Sequence, residues 1–417
     1  MDFTMPSATA LPPSARLTTA LAAARTAGWL SRRLTGGGGR AIAGRTLMRL
    51  DPSAPRALAQ GRRITLVTGT NGKTTTTAML AAALGRQSRL VTNRDGANTP
   101  TGLVTTLAER GPETVVLEVD EGWLPWAVEV LKPVCVVLLN LSRDQLHRHP
   151  EVHRLANAWR QALTDVPLVV ANADDPAIVW AADTAQQRIW VAAGQTWTQD
   201  SMVCPSCGDL LKRPGESWSS CACGFRRPTP AWSASDGSLR HHGQRVLLAP
   251  GVPGDVNLGN AALAVAAATA AGVEPTEAAR AVGSVRDVAG RYAEFVRGRQ
   301  TVRLFLAKNP AGWDAALRAL APSSASLVLA FNADGVDGRD PSWLYDVGFD
   351  RLAGRTVAVC GRRGTDMLVR LRLDGINPVG QFDTIDGALR ALPSGPVDVV
   401  GNYTAFQEAR RVLGHVA

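Results

Sequence analysis

The chain has 417 residues, too many for one hydrophobic core, so two or three domains are expected. A hydrophobic content of 45% and a charged content of 19% exclude an intrinsically disordered protein. Only four of the 45 basic residues are lysines, so composition alone does not account for a lysine inside a motif.

The basic charge is concentrated in the first 50 residues, which hold seven arginines and one aspartate, or +6 of the net charge of +9. The apolar stretch 17–30 is too short to cross a bilayer and is interrupted by Arg25. This interruption and the basic, glycine-rich segment that follows it (36–39) are not typical of a secretory signal. We expect residues 1–55 to form a basic helical extension. An organelle transit peptide and an amphipathic helix on anionic lipid headgroups are the alternatives. No other apolar run reaches 18 residues, which predicts a soluble protein.

Short apolar strands alternate with helical stretches through most of the chain, which predicts mostly parallel α/β sheets. The expected strands are 64–68, 114–118, 134–139, 168–171, 188–192, 302–307, 326–331, 356–360 and 397–400. The expected helices are 77–84, 123–131, 156–163, 260–271, 277–285, 313–320, 366–373 and 404–413. Segment 200–247 interrupts the pattern with cysteines, tryptophans and turn formers, and we expect an inserted β-rich module there, with its metal-binding part at about 200–228. The remaining boundaries give a central domain over 56–295 and a Rossmann-like α/β domain over 296–417.

A glycine-rich turn joins the first predicted strand to a helix, which is the setting of a phosphate-binding loop. It lacks the first glycine of the full G-x-x-x-x-G-K-[ST] pattern, because Val67 stands there. Backbone N–H groups in such a loop surround phosphate oxygens; we expect Lys73 to reach the β- and γ-phosphates of ATP and Thr74 to ligate Mg²⁺. The alternative is a plain turn with a chance lysine. The candidate nucleotide-binding residues are Gly69, Thr70, Asn71, Gly72, Lys73, Thr74 and Thr75.

Three carboxylates, Glu118, Asp120 and Glu121, follow a buried strand, at the edge of a parallel sheet where ligands bind. A hard cation that bridges ATP phosphates needs oxygen ligands, so Glu118 is the predicted Mg²⁺ ligand. A solvated strand end is the alternative, chiefly for Asp120 and Glu121.

Four cysteines lie within twenty positions, and the first pair has the Cys-Pro-x-Cys-Gly form of a zinc knuckle. The second pair has one residue between its cysteines instead of two. Four thiolates leave no open position, which predicts a structural Zn²⁺ site; a catalytic zinc, a redox pair and a nucleic-acid ribbon are the alternatives. The expected ligands are Cys204, Cys207, Cys221 and Cys223.

The shortened phosphate loop resembles that of the Mur ligases, a family of ATP-dependent amide-forming enzymes. Segments 92–102, 117–121, 140–146, 172–176 and 254–262 follow in that family's order. The resemblance implies that Asn260 contacts the adenine side, that Arg291 lies near the γ-phosphate and that Lys308 closes over the phosphates from the C-terminal domain.

The chain departs from single-chain Mur ligases in one segment. Those enzymes have a histidine where Gln145 stands and a carbamylated lysine after it, whereas no lysine occurs here between Lys132 and Lys212. The second metal site is therefore expected to be missing or altered. His147 and His149 are either substitute ligands or exposed surface histidines.

The cysteine insertion and segments 306–313, 332–346 and 403–405 resemble the ligase-like subunits of lipid II isoglutaminyl synthases. The resemblance implies ATP-dependent amidation of the D-glutamate α-carboxyl in the lipid II stem peptide, through an acyl phosphate. It implies that ammonia comes from a separate GatD-type glutaminase subunit, in the cytoplasm and near the inner face of the membrane, without nucleic acid. In that family the ligase-like subunit lends an aspartate to the glutaminase Cys–His pair. The candidates are Asp346 first, then Asp337 and Asp340, and the alternative role of each is to cap a turn or helix.

Two other functions remain open from the sequence. A self-sufficient Mur or folylpolyglutamate-type ligase would add an amino acid instead of ammonia. A zinc-ribbon P-loop protein that binds nucleic acid would show salt-dependent binding to DNA or RNA. His147 and Tyr345 depart from the usual residues of the isoglutaminyl synthase subunits, which leaves room for a paralogue with another acceptor.

Overall fold

The computed structural model describes residues 14–35, 39–85, 89–93, 96–109, 113–144, 152–215, 217–286, 288, 290–321, 325–332 and 341–414. The helices are α1 (Ala15–Thr35), α2 (Arg40–Leu50), α3 (Ala54–Ala59), α4 (Lys73–Leu84), α5 (Pro100–Leu107), α6 (Leu124–Leu131), α7 (Val152–Ala162), α8 (Pro176–Ala182), α9 (Asp255–Ala270), α10 (Pro275–Gly283), α11 (Pro310–Arg318), α12 (Gly364–Leu373), α13 (Ile385–Arg390) and α14 (Tyr403–Gly414). The strands are β1 (Arg63–Thr68), β2 (Leu90–Thr92), β3 (Thr114–Glu118), β4 (Cys135–Leu138), β5 (Leu168–Asn172), β6 (Gln187–Ala192), β7 (Trp232–Ser235), β8 (Ser238–His241), β9 (Gln244–Leu247), β10 (Tyr292–Arg297), β11 (Gln300–Leu306), β12 (Ser326–Ala330), β13 (Val357–Cys360), β14 (Gly380–Phe382) and β15 (Gly395–Gly401).

The central domain is built on a nine-stranded sheet in the order β2-β3-β1-β4-β5-β6-β7-β8-β9. In this order, the seven strands from β2 to β7, with β1 among them, are parallel to their neighbours. The pairs β7–β8 and β8–β9 at one edge are antiparallel. Successive residues of β1 bury opposite faces: Leu66 packs with α5, α6 and α7, whereas Val67 packs with α4, α9 and α10. This alternation explains why the parallel strands are almost continuously apolar.

The inserted module is shorter than segment 200–247. Residues 232–247 form β7 to β9 and continue the central sheet, because β7 pairs with β6 in parallel. In the described residues of the cysteine segment before β7, strand pairing is limited to isolated bridges, among them Val203 with Leu210 and Ser219 with Arg226.

The C-terminal domain has a six-stranded sheet in the order β10-β11-β15-β12-β13-β14, parallel except for the β10–β11 hairpin. Its first strand begins at Tyr292, so the change of domain comes before the expected position 296. Two apolar clusters cover the two faces of this sheet, which confirms an α/β domain with helices on both sides.

The basic N-terminal extension folds as a helical hairpin, α1 and α2, packed on the outer face of the central domain. Gly44 of α2 lies so close to α5 that a Cβ there would sit 2.0 Å from the backbone oxygen of Thr101. Leu17, Ala20 and Ala24 of α1 share an apolar cluster with Leu47 of α2. None of the described helices is long and apolar enough to cross a membrane.

Candidate active site

The phosphate loop lies at the carboxyl end of β1, between the ends of β3 and β4, and leads into α4. Gly72 has a φ of +87°, and a Cβ there would lie 2.6 Å from Oδ1 of Asn260. Asn140 accepts a hydrogen bond from the backbone N–H of Asn71 (3.0 Å) and donates one to its carbonyl oxygen (3.0 Å). The loop is therefore held in shape by the segment after β4, before any phosphate binds.

Lys73 is buried at the start of α4, and its amino group faces the loop. Its Nζ donates to the carbonyl oxygens of Gly69 (2.6 Å) and Thr70 (3.1 Å) and to Oε2 of Glu121 (2.8 Å). Glu121 is 7% exposed, so it is not a solvated strand end. Asp120, by contrast, caps a short 3₁₀ helix by accepting from the backbone N–H of Gly122. The two neighbouring carboxylates thus have different roles, one electrostatic and one structural.

Glu118 is the carboxylate nearest the predicted Mg²⁺ position. Its Oε2 accepts from the hydroxyl of Thr74 (2.8 Å) and its Oε1 from the side-chain amide of Asn98 (3.0 Å). Nε of Arg291 donates to the same Thr74 hydroxyl (3.2 Å). A buried carboxylate beside a hydroxyl at the end of a phosphate loop provides the hard oxygen ligands that Mg²⁺ prefers, so these residues fit the ion.

Residues of the C-terminal domain complete the cleft. Lys308 forms an ion pair with Asp144 of the loop after β4. The amides of Asn309 and Asn71 exchange two hydrogen bonds, both 3.2 Å. Burial lowers the pKa of Lys308, but the carboxylates of Asp144 and Glu121 outweigh that effect and raise it, so the amine stays charged at neutral pH.

One cleft brings together most of the residues that the sequence predicted for the nucleotide. Thr70 to Thr75, Asn260, Arg291 and Lys308 all line it, together with Pro253, Phe305 and Ala315. These apolar side chains can cover a base, while the backbone and polar side chains of the loop can bind the phosphates.

Asp346, the first candidate for the partner's triad, lies in a short 3₁₀ helix (Ser342–Asp346) of the C-terminal domain. Its Oδ2 lies 3.4 Å from Nη2 of Arg143, with 39% of its side chain exposed. Arg143 also pairs with Asp200, whose carboxylate accepts from the indole N–H of Trp197. Asp337, Asp340, His147 and His149 lie outside the described residues.

Sequence reasoning did not single out the polar residues that hold the cleft in place. Asn140 and Asp144 lie in a segment cited only for its family resemblance, and Asn309 follows Lys308 directly. The one local indication for Asn309 was that it follows a candidate lysine. Its pairing with Asn71, however, joins positions 238 residues apart. No local spacing predicts such a contact.

A further residue, Asp175, is fully buried behind the loop after β4. It accepts from the backbone N–H of Leu141 (2.9 Å) and caps α8 through Ala177 and Ile178. Burial raises the pKa of Asp175 to about 6, although these backbone donors lower it. Asp175 therefore anchors the segment that supplies Asn140, Arg143 and Asp144.

The cysteine segment forms a compact cluster of three thiols, Cys204, Cys207 and Cys223, whose sulfur atoms lie within 4.8 Å of one another. Cys221, expected as the fourth ligand, is exposed and lies outside this group. Ser220 lies closer to the cluster: its hydroxyl is 3.4 Å from Sγ of Cys207, and it stands three residues before Cys223. Ser220 and Cys223 are therefore separated by two residues, as Cys204 and Cys207 are.

The cluster has features of a cation site. The backbone N–H of Phe225 and the Ser220 hydroxyl lower the pKa of the Cys223 thiol to about 6, which favours the thiolate. Three converging sulfur atoms and a hydroxyl fit a tetrahedral ion such as Zn²⁺. Trp218 and Arg227 of the same segment bind Ala173 and Asp174 after β5, so the cluster is fixed to the central domain.

The sequence matches two protein-family models. The Mur ligase middle domain matches residues 67–199, and the MurT ligase C-terminal domain matches residues 306–406. The Staphylococcus aureus protein named "Lipid II isoglutaminyl synthase (glutamine-hydrolyzing) subunit MurT" is 28% identical over 370 residues, 82% of this chain and 84% of its own. The Streptococcus pneumoniae protein of the same name is 27% identical over 438 residues, 95% of this chain and 97% of its own. Among solved structures, MurF from Acinetobacter baumannii has a TM-score of 0.66 at 18% identity, over 90% of this chain and 80% of that chain.

A central sheet with a phosphate loop, followed by an α/β domain that reaches over it with a lysine, defines the Mur ligase fold. The chain belongs to the Mur ligase family. Within that family it groups with the MurT proteins, whose C-terminal domain model it matches.

Proposed function

We propose that this chain is the ATP-dependent ligase subunit of a lipid II isoglutaminyl synthase. It amidates the α-carboxyl of D-glutamate in the lipid II stem peptide, in peptidoglycan synthesis. The observation that carries the proposal is the intact nucleotide cleft joined to a C-terminal domain that matches the MurT model. The curated relatives that align with 82% and 95% of this chain are named as subunits of that synthase.

The residues of the cleft suit phosphoryl transfer to a carboxylate. A carboxylate oxygen of the acceptor attacks the γ-phosphorus of ATP, the bond to the bridging oxygen breaks, and ADP leaves. Lys73, Arg291 and Lys308 stabilise the negative charge on the transferred phosphoryl group. Thr74 and Glu118 would hold Mg²⁺, which neutralises phosphate charge when bound. Ammonia then attacks the acyl carbon, inorganic phosphate leaves, and the nitrogen loses a proton.

The relatives' names point to a second protein as the source of ammonia, because each is called a subunit of a glutamine-hydrolyzing synthase. We propose a GatD-type glutaminase subunit as the partner, with Asp346 as the carboxylate that orients the partner's histidine. Asp346 is partly exposed on the C-terminal domain, where a partner can reach it, and Arg143 holds it in place. A carboxylate in this role fixes the histidine tautomer and stabilises the imidazolium.

Asp346→Asn in the complex should lower glutamate release from glutamine by about 10⁴-fold, as loss of an orienting carboxylate does in hydrolase triads. Amidation with added ammonium salt should persist. Asp350→Asn, four residues on in the same domain, is the matched control. If the variant hydrolyses glutamine normally, Asp337 and Asp340 become the candidates.

Zinc in the three-cysteine cluster is proposed as structural. The cluster lies on the inserted segment and no cysteine of it lines the nucleotide cleft. Its role is to hold together a segment whose strand pairing consists of isolated bridges.

The identity of the nitrogen nucleophile is tested with the purified chain, ATP, Mg²⁺ and lipid II. Ammonium chloride and single amino acids are added one at a time. Ammonium alone should support ADP formation and an amidated product seen by mass spectrometry. Turnover that depends on an amino acid, in the absence of any glutaminase, would show a self-sufficient ligase instead. Lys73→Ala should remove turnover with every nucleophile.

The substrate also sets the location, since lipid II is anchored in a bilayer. We propose that the protein acts at the inner face of the membrane, in the cytoplasm. The basic N-terminal extension supports this through its seven arginines in the first 50 residues.

A further inference from the structure

The free end of the α1–α2 hairpin carries an unusual combination of side chains. Trp29, Leu30, Leu34 and Ile42 are all more than two-fifths exposed, and Leu34 is 80% exposed. We call residues 29–34 and 42 the hairpin tip. Large apolar side chains grouped at one exposed place usually mark a contact surface.

The tip is the part of the hairpin furthest from its base. At the base, Arg16 of α1 donates to the carbonyl oxygen of Leu50, at the end of α2. At the other end Gly28 meets Gly39 and Ala43, so that a Cβ at Gly28 would lie 3.1 Å from Cβ of Ala43. Beyond this crossing, Trp29, Leu30, Arg32, Arg33 and Leu34 of α1 are exposed, whereas Ser31 is buried.

The apolar side chains of the tip face away from the protein. Leu17, Ala20, Ala24 and Gly28 form the buried stripe of α1 at helical spacing. At 100° per residue, Trp29 and Leu30 lie more than about 120° from that stripe and Leu34 lies about 90° from it, and all three are exposed. The packing of the hairpin on the central domain therefore leaves these side chains outward.

Arginines surround the tip. The segment from residue 14 to 50 contains seven arginines and no acidic residue. Arg25, Arg32 and Arg33 of α1 are exposed, and the Arg33 guanidinium lies 4.4 Å from the ring centre of Trp29. Two acidic groups lie beside the hairpin: Glu109, just after α5, pairs with Arg40 (3.7 Å), and Asp51, directly after α2, lies 4.0 Å from Nε of Arg16 at the base.

We propose that the hairpin tip docks on a membrane surface that contains anionic lipid. Tryptophan and leucine side chains enter the boundary between headgroups and acyl chains, while the arginines bind lipid phosphates. A helix that lies on or dips into the interface needs neither the length nor the uniform hydrophobicity of a spanning helix. The positive charge of residues 14–50 favours an anionic bilayer over an uncharged protein surface as the binding partner.

This deepens the proposed function, because a bilayer surface is where a lipid-anchored acceptor is found. The contact itself does not depend on the ligase reaction. Its test needs no ATP or lipid II, so the two proposals can fail separately.

The test is co-sedimentation of the full chain with vesicles of phosphatidylcholine alone or mixed with phosphatidylglycerol. The chain should bind the anionic vesicles, and binding should weaken as salt is raised. The double variant Trp29→Ser/Leu34→Ser should lower the partition coefficient about tenfold or more, and Arg32→Glu/Arg33→Glu should lower it by at least as much.

The β8–β9 hairpin offers a matched control, because it exposes a leucine (Leu247, 79%) and two paired arginines, Arg240 and Arg245. Leu247→Ser and Arg240→Glu/Arg245→Glu should leave vesicle binding unchanged. Thermal melting checks that every variant is folded.

Absence of binding by the wild-type chain would overturn the proposal, as would an equal loss in tip and control variants. If the tip variants bind vesicles normally but no longer co-purify with the glutaminase, or no longer self-associate, the tip is a protein contact and the proposal is wrong.

Discussion

Glu118 joins the phosphate loop to the neighbouring strand, since its two carboxylate oxygens accept from Thr74 and Asn98. Glu118→Gln removes the charge but little volume, so Mg²⁺-dependent binding of a non-hydrolysable ATP analogue should weaken about tenfold or more, which is about 1.4 kcal/mol or more. Titration calorimetry with and without Mg²⁺ measures this effect.

The control is Asp120→Asn, two residues on, because Asp120 only caps a 3₁₀ helix. This variant should bind the analogue like the wild type. Equal weakening in both variants would remove Glu118 from the metal site.

Asp175 gives a prediction for the dependence of stability on pH. Its pKa rises from the ordinary value of 3.8 to about 6 on folding, so the folded state holds the proton more tightly than the unfolded state. The contribution of this proton to the free energy of unfolding is complete below pH 4 and is lost as the pH rises through 6. The free energy of unfolding changes by about 3 kcal/mol over this range.

In Asp175→Asn this titration is absent. The loss of unfolding free energy between pH 4 and pH 7 should therefore be smaller than in the wild type by about that amount. Denaturant unfolding at a series of pH values measures it. Asp236→Asn, at an exposed turn, should follow the wild-type profile, and a parallel profile for Asp175→Asn would contradict the prediction.

At the scale of elements, the second cysteine knuckle shows how one residue of spacing decides which side chain faces the cluster. Ser220, not Cys221, faces Cys207 and Cys223. Ser220→Cys should complete four thiolates and tighten zinc binding, since thiolate is the better zinc ligand. Cys221→Ser should leave zinc content unchanged, whereas Cys223→Ser should abolish it. Elemental analysis and competition with a chromophoric chelator test all three, and zinc loss in Cys221→Ser would restore the four-cysteine set.

Sequence patterns predicted the elements that are buried on both faces. All nine expected strands and eight expected helices are present, because continuous apolar runs and helical periodicity reflect burial directly. Strands β7 to β9 were wrongly included in the cysteine module, because Trp232 and the surrounding turn formers resemble the preceding segment. Only the pairing of β7 with β6 distinguishes them.

Part of the candidate site was predictable because it consists of local sequence motifs. The phosphate loop and Glu118 are local motifs, and Arg291 and Lys308 came from family resemblance. The amide pair of Asn71 with Asn309 and the anchoring of Leu141 by Asp175 depend on long-range packing. Neither has a spacing that marks it in the sequence.

For the whole molecule, the segment after β4 connects the parts that the proposed reaction needs. Asn140 holds the phosphate loop, Asp144 pairs with Lys308, and Arg143 pairs with Asp346. One short segment thus contacts the nucleotide cleft, the cleft lysine and the aspartate proposed for the partner. This arrangement suits an enzyme that must receive ammonia while the acyl phosphate exists.

The most direct measurement uses the chain co-purified with its glutaminase, ATP, lipid II and glutamine labelled with heavy nitrogen at its amide. We predict that the heavy nitrogen appears in the stem peptide as the α-amide of D-glutamate, with one ADP per amide formed. Lys73→Ala should stop this transfer while the glutaminase protein remains bound. Unlabelled lipid II despite ATP consumption, or transfer to a different acceptor, would contradict the proposed function.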